Sequence, residues 1–116
     1  MSTYEFAATL AAKIEAEGYS ATCDPRSATP PCVLFEIPIL TPATGCAVDA
    51  QFYAVALSPG TANADAWLTL EELVRAIMRV CPWWERAEPV RYAFAPDSPP
   101  LPAWRVSFTK AVSYDD

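Results

Sequence analysis

The stretch CAVDAQFYAVALSPGTANADAWLTLEELVRAIMRVCP, residues 46–82, changes its hydrophobic period halfway along. In residues 46–59 the side chains alternate: Val48, Ala50, Phe52 and Ala54 share one face, and Asp49, Gln51, Tyr53 and Val55 the other. A period of two is a strand with one face turned to a core. From Asp65 to Cys81 the residues Trp67, Leu70, Leu73, Val74, Ile77, Met78 and Cys81 form one continuous apolar stripe at helical spacing. Asn63 or Asp65 can cap this helix, and Thr69 with Glu72 repeats the capping-box spacing one turn further in. Glu71 and Glu72 suit the positive end of the helix dipole, and Arg75 and Arg79 the negative end. Pro82 ends the helix.

Working outward, CVLFEIPIL (residues 32–40) also alternates, with Val33, Phe35, Ile37 and Ile39 on one face. Pro38 cannot donate to a ladder, so this strand meets an edge or bends there. The turn TPATG (41–45) joins it to the strand at 46–59, which makes the two an antiparallel hairpin. Before it, residues 19–31 are rich in turn formers and read as a long loop, with room for a short strand over 19–22. The chain starts with a helix over 3–17. Ser2 or Thr3 caps it, Glu5 completes a capping box with Ser2, Phe6, Leu10 and Ile14 form its stripe, and Gly18 stops it. The last part reads as two antiparallel strands, 88–95 and 103–113, joined by the stiff segment APDSPPLPA. The order α-β-β-α-β-β predicts an α+β fold: an antiparallel sheet with two helices packed against it, in a single domain over residues 1–116.

Composition narrows the function. The 116 residues are 53% hydrophobic and 19% charged, which is globular and not disordered. No apolar run approaches the roughly 20 residues of a membrane helix, and the acidic N-terminus does not read as a secretory signal. The net charge of −6, with scattered basic residues, argues against gripping nucleic-acid phosphates or an anionic membrane. The absence of histidine removes Ser-His-Asp and Cys-His catalysis and histidine metal sites. The four cysteines, Cys23, Cys32, Cys46 and Cys81, contain no C-x-x-C, so they signal neither a zinc ribbon nor a redox centre. They read as reduced, mostly buried thiols; a Cys23–Cys32 disulfide across the intervening turn is the alternative. Glu71 and Glu72 project about 100° apart on a helix and do not face one another. Three glycines leave no phosphate-cradling loop, and no G-x-S-x-G elbow occurs. The expectation is a protein that is not an enzyme, with no catalytic, cofactor-binding or metal-ligating residue.

The aromatic residues speak for binding instead. Trp83 and Trp84 follow the helix directly, and two successive residues cannot both face one small core. With Arg86 they have the composition of an interface anchor. The proline-rich loop at 96–102, with Pro99, Pro100 and Leu101, is a rigid arm to present to a partner, and the turn that starts at Thr41 and Pro42 is a further candidate.

The joint pattern resembles the tail-terminator (tail-completion) proteins of long-tailed bacteriophages, particularly small ones from actinobacteriophages. It rests on the alanine-rich first helix ending at Ala16-Glu17-Gly18-Tyr19, on Pro30-Pro31-Cys32-Val33-Leu34 entering a strand, and on the strand Val48–Leu57. The Asp65-Ala66-Trp67-x-x-Leu70 helix start with Leu73-Val74, and a closing strand pair, complete it. The resemblance covers roughly residues 5–113. It implies a virion structural protein: a hexameric ring at the tail–neck junction that ends growth of the tail-tube protein and docks the head connector, with DNA passing through without specific binding. Six copies of charge −6 would carry −36. A lumen lined by acids such as Glu36, Asp49, Glu71 and Glu72 would repel phosphates and let DNA slide. The alternatives are another neck protein (a head-completion adaptor or stopper) or a small cytosolic binding domain that uses Trp83 and Trp84. Titration of the denatured protein with a thiol reagent is expected to count four free cysteines; a lower count would refute the all-reduced reading.

Overall fold

A computed structural model describes residues 2–60 and 63–114. The first helix, α1 (Thr3–Ala16), begins with the expected capping box. Ser2 Oγ accepts the Glu5 amide at 3.0 Å, and the Glu5 carboxylate accepts the Ser2 amide at 3.0 Å. It ends in a Schellman arrangement: Gly18 takes φ 96°, its N–H donates to Glu15, and the Tyr19 N–H donates to Ile14. Then come β1 (Ala21–Thr22), a 3-10 turn at Pro25–Ser27, β2 (Cys32–Phe35), β3 (Ile39–Pro42) and β4 (Ala47–Leu57). The second helix, α2 (Ala64–Val80), is capped by Asn63, whose side chain accepts the Ala66 amide. The strands β5 (Arg86–Tyr92) and β6 (Leu101–Ser113) close the chain.

These strands form one six-stranded sheet of order β1-β2-β4-β6-β5, with β3 also on β4, and the two helices complete an α+β fold. The expected pairings of residues 32–40 with 46–59, and of the last two strands, are both present and antiparallel. The sheet is mixed and not wholly antiparallel, because β1, within the short strand allowed for over 19–22, pairs parallel with β2.

The strand expected over 32–40 is broken. Phe35 stands opposite Ala54, but Ile39 stands opposite Gln51, so three residues (36–38) face two on β4. This is a β-bulge at the proline, where the ladder has no donor to use. The extra residue overturns the alternation: Val33 and Phe35 are buried, whereas Ile37 is 93% exposed and Ile39 about half exposed. The first closing strand sits two to three residues earlier than read, and the second starts two residues earlier but ends at Ser113 as read, so Phe94 lies past β5, edge-on to Tyr92 at 5.1 Å between ring centres.

Register assigns the faces. Ala50, Phe52, Ala54 and Ala56 of β4, with Val106 and Phe108 of β6, face the helices and meet Leu10 and Ile14 of α1 and Leu73, Val74 and Ile77 of α2. Phe52 and Phe108 are cross-strand partners, stacked at 5.3 Å, and Phe6 of α1 tilts onto both. Each fully buried side chain of this kind stabilises the fold by about 1.5–3 kcal/mol. A second, smaller cluster lies on the opposite face: Cys32, Leu34, Val55, Leu57 and Ala103, covered by Ala28 and Tyr92. All four cysteines are free. Cys23 packs against the helix-side core and Cys32 belongs to the opposite cluster, so no disulfide joins them. Burial raises the Cys23 and Cys32 thiols and pushes Cys81 up to about 11.

Two of the edge strands, β3 and β5, contain proline, whereas the short edge strand β1 does not. Pro42 lies in β3 and Pro89 in β5, on opposite sides of the sheet. Proline fits an edge strand only with its nitrogen turned outward, which removes a donor from the exposed edge and discourages strand addition. At the end of α1, a Cβ added to Gly18 would touch nothing within 4 Å, so only backbone strain opposes a side chain there. Gly18→Ala is therefore expected to lower stability by about 1 kcal/mol in urea titrations, the cost of an L-residue in the left-handed region.

Candidate functional site

An apolar groove of about 1200 Å³ lies between the first turns of α2 and the β5–β6 hairpin. Trp67 and Leu70 form the helix wall, Pro89 and Trp104 the sheet floor, and Pro100 and Leu101 the far end. It exists because α2 lies over β4 and β6, while β5, the edge strand beyond, makes no comparable contact with either helix. The proline-rich connection cannot fold back over the gap. It turns once, with Ser98 donating to Ala95 across Pro96, and runs as extended chain into β6. The Trp104 Nε1–H is buried and finds no partner among the described residues.

Trp67 is the residue on which the stripe reading fails. It falls in register with Leu70 and Leu73, yet it is 65% exposed. Trp67 and Leu68 are bulky neighbours in the first turn, and Leu68 is exposed as well. Two such neighbours need more cover than one sheet face offers, which was the available signal. Trp104 gave none beyond strand alternation.

The expected interface residues fall into separate places. Pro99, Pro100 and Leu101 line the groove. Trp83 and Trp84 are not among its lining; they sit in the turn after α2, 43% and 38% exposed, with the Trp84 amide donating to Cys81. Arg86 starts β5 and pairs with Glu88 at 3.3 Å. Thr41 and Pro42 lie on β3, exposed, across the sheet from the groove, and the Thr41 hydroxyl donates to the Asp49 carbonyl.

The four acids do not share one surface. Glu71 and Glu72 project from α2, where Glu72 accepts the Tyr19 hydroxyl at 3.0 Å. Asp49 is exposed on the helix-free face of β4, and Glu36 is half-buried on that same side. Near Glu36 stands a polar cluster. The Arg105 guanidinium lies 4.8 Å from the centre of the Tyr53 ring and bonds Glu88 at 3.2 Å, while its Nε is buried without a partner among the described residues. Among the described residues no group of three or more Cys, Asp or Glu could hold a metal ion. Groove and polar cluster together suit the reception of apolar and charged side chains.

No family model, no curated protein and no solved structure matches this chain.

Burial raises Glu36 above the ordinary carboxylate range, and the nearby Arg105 charge opposes this without cancelling it. A raised folded-state value means the fold disfavours the ionised form. That penalty is absent below the unfolded-state value of about 4.3 and grows as pH rises through the folded-state value. Glu36→Gln is therefore expected to raise the melting temperature at pH 7, with the gain closing below about pH 4. A variant less stable at pH 7 would show that the Arg105 attraction outweighs the burial.

Proposed function

We propose that this chain is a structural assembly protein of a phage tail, most specifically a terminator. Copies of it form a ring, with six as the expected number, on the head-proximal end of the tail tube. The ring ends tube growth and presents a docking surface to the head connector. The observation that carries this reading is that apolar surface lies open at two opposite edges of one sheet. Ile37, Ile39 and Leu40 stand exposed around β3, and the groove opens beside β5. Scattered apolar residues on a monomer need no explanation, but grouped ones mark contact surfaces. Two contact surfaces on opposite sides of one subunit suit head-to-tail closure into a ring. The acidic balance suits passage of DNA, since a lumen of net negative charge repels phosphates. In that ring Glu36 and Asp49 would line a different surface from Glu71 and Glu72, so one pair at most faces the lumen.

The groove also favours a second reading, a small binding domain for an apolar ligand or peptide. Its anchors are then Trp67 and Trp104, in place of Trp83 and Trp84. Light scattering behind a sizing column separates the two readings. The ring reading expects a species near six times 12.6 kDa, or a monomer–hexamer equilibrium, together with capped ends when the protein is mixed with its cognate tail tubes. A monomer at every concentration that also leaves tube ends bare would overturn the ring and leave the binding domain.

A further inference from the structure

We infer that the exposed Ile37 of one copy seats in the Trp67–Trp104 groove of the next. This is a head-to-tail contact between a knob flanked by Glu36 and a groove that carries Arg91. It deepens the ring reading and rests on it.

The knob is built by the bulge. Residues 36–38 leave the ladder, and Ile37 becomes the most exposed of the large apolar side chains, with Ile39 and Leu40 open beside it. The bulge leaves a β-branched apolar residue in solvent directly after a strand, Cys32–Phe35, that is buried throughout. The groove, on the opposite edge of the sheet, is apolar, is large enough for several side chains, and receives none from this chain.

Charge selects a second copy as the occupant. Between residues 27 and 64 the only charged side chains are Glu36 and Asp49, so the strands around the knob are purely acidic. The groove lining carries one charged side chain, Arg91. Arg91 lies on the groove rim, exposed, and makes no ion pair among the described residues. Glu36 beside the knob meeting Arg91 on the groove is attractive, whereas knob against knob sets like charges together. The contact is therefore heterologous, and such contacts close into rings or run on as filaments. It works through side chains and not by a shared ladder, because Pro42 and Pro89 interrupt the edges of β3 and β5, the strands beside the knob and the groove.

The test uses Ile37→Glu and Trp67→Glu, two substitutions at exposed positions, with circular dichroism to verify folding. Mass is followed by light scattering over a concentration series. The wild-type protein is expected to associate, and each variant alone to weaken association roughly tenfold or more, while Ile37→Val keeps it. Mixing the two variants is the decisive step. Each retains the surface the other has lost, so a 1:1 mixture should give a species of twice 12.6 kDa and nothing larger. Variants that associate like the wild type, or a mixture that stays monomeric, would overturn the knob-and-groove contact. A wild-type protein that stays monomeric in solution overturns it too. The ring reading is judged separately, by the sixfold mass and the capped tubes, and survives if the wild type assembles through surfaces these variants do not touch.

Discussion

The stacked pair of Phe52 and Phe108 is the contact on which the rest of the structure depends. The two rings are direct partners in the ladder between β4 and β6, in which every residue of β4 has a partner. Cross-strand aromatic pairs stabilise an antiparallel register, and a slip of one residue would turn both rings to the wrong face. Phe6 closes over the pair from α1, so the same contact fixes the first helix on the sheet. Lys110 Nζ stands 5.8 Å from the centre of the Phe6 ring, at the point where this aromatic core meets solvent. The second helix is tied to the first more lightly, by Arg79 on Glu17 at 2.8 Å and by Tyr19 on Glu72, both partly exposed. Ion pairs of that kind contribute little; the layer is held by the apolar stripe beneath it.

A rigid centre permits irregular edges. One edge carries the bulge and Pro42, the other carries Pro89 and the proline-rich hairpin connection. These features weaken the ladder only where it ends, and each leaves apolar surface uncovered. A sheet with bare, flat edges would add strands indiscriminately and aggregate. Here the backbone is blunted at the edges and side chains are offered instead. Side-chain contacts have shape and charge, which a backbone ladder lacks, and so can choose their partner.

The regular parts of this fold were legible in the sequence because their signals are local. The capping box at Ser2 and Glu5, the stop at Gly18, the stripe from Leu70 to Cys81 and the hairpin pairing all depend on residues close in the chain. The parallel partnership of β1 with β2 joins Ala21 to Val33 across a loop of turn formers, and no period announces a two-residue strand. The bulge was half visible: Pro38 marked the place, but alternation continued through Ile37 as if the strand were whole. The groove was less visible still. It is a gap between a helix end and an edge strand, and depends on how far α2 reaches across the sheet. Pro99, Pro100 and Leu101 were singled out for stiffness and line it, whereas Trp67 was assigned to the core by its spacing.

The misread positions share a cause. Ile37 and Trp67 each obey a core periodicity and each lie outside the core, one released by an inserted residue and one by a helix that overhangs its cover. Periodicity reports which face a side chain takes, not whether anything stands opposite that face. Where a sequence keeps a large apolar residue in register and the fold leaves it uncovered, the missing neighbour must come from outside the subunit or the residue stays in water. Leaving both in water would forgo roughly 1.5–3 kcal/mol of burial at each position. The two lie on opposite edges of the sheet, so one repeated contact between copies would cover both at once.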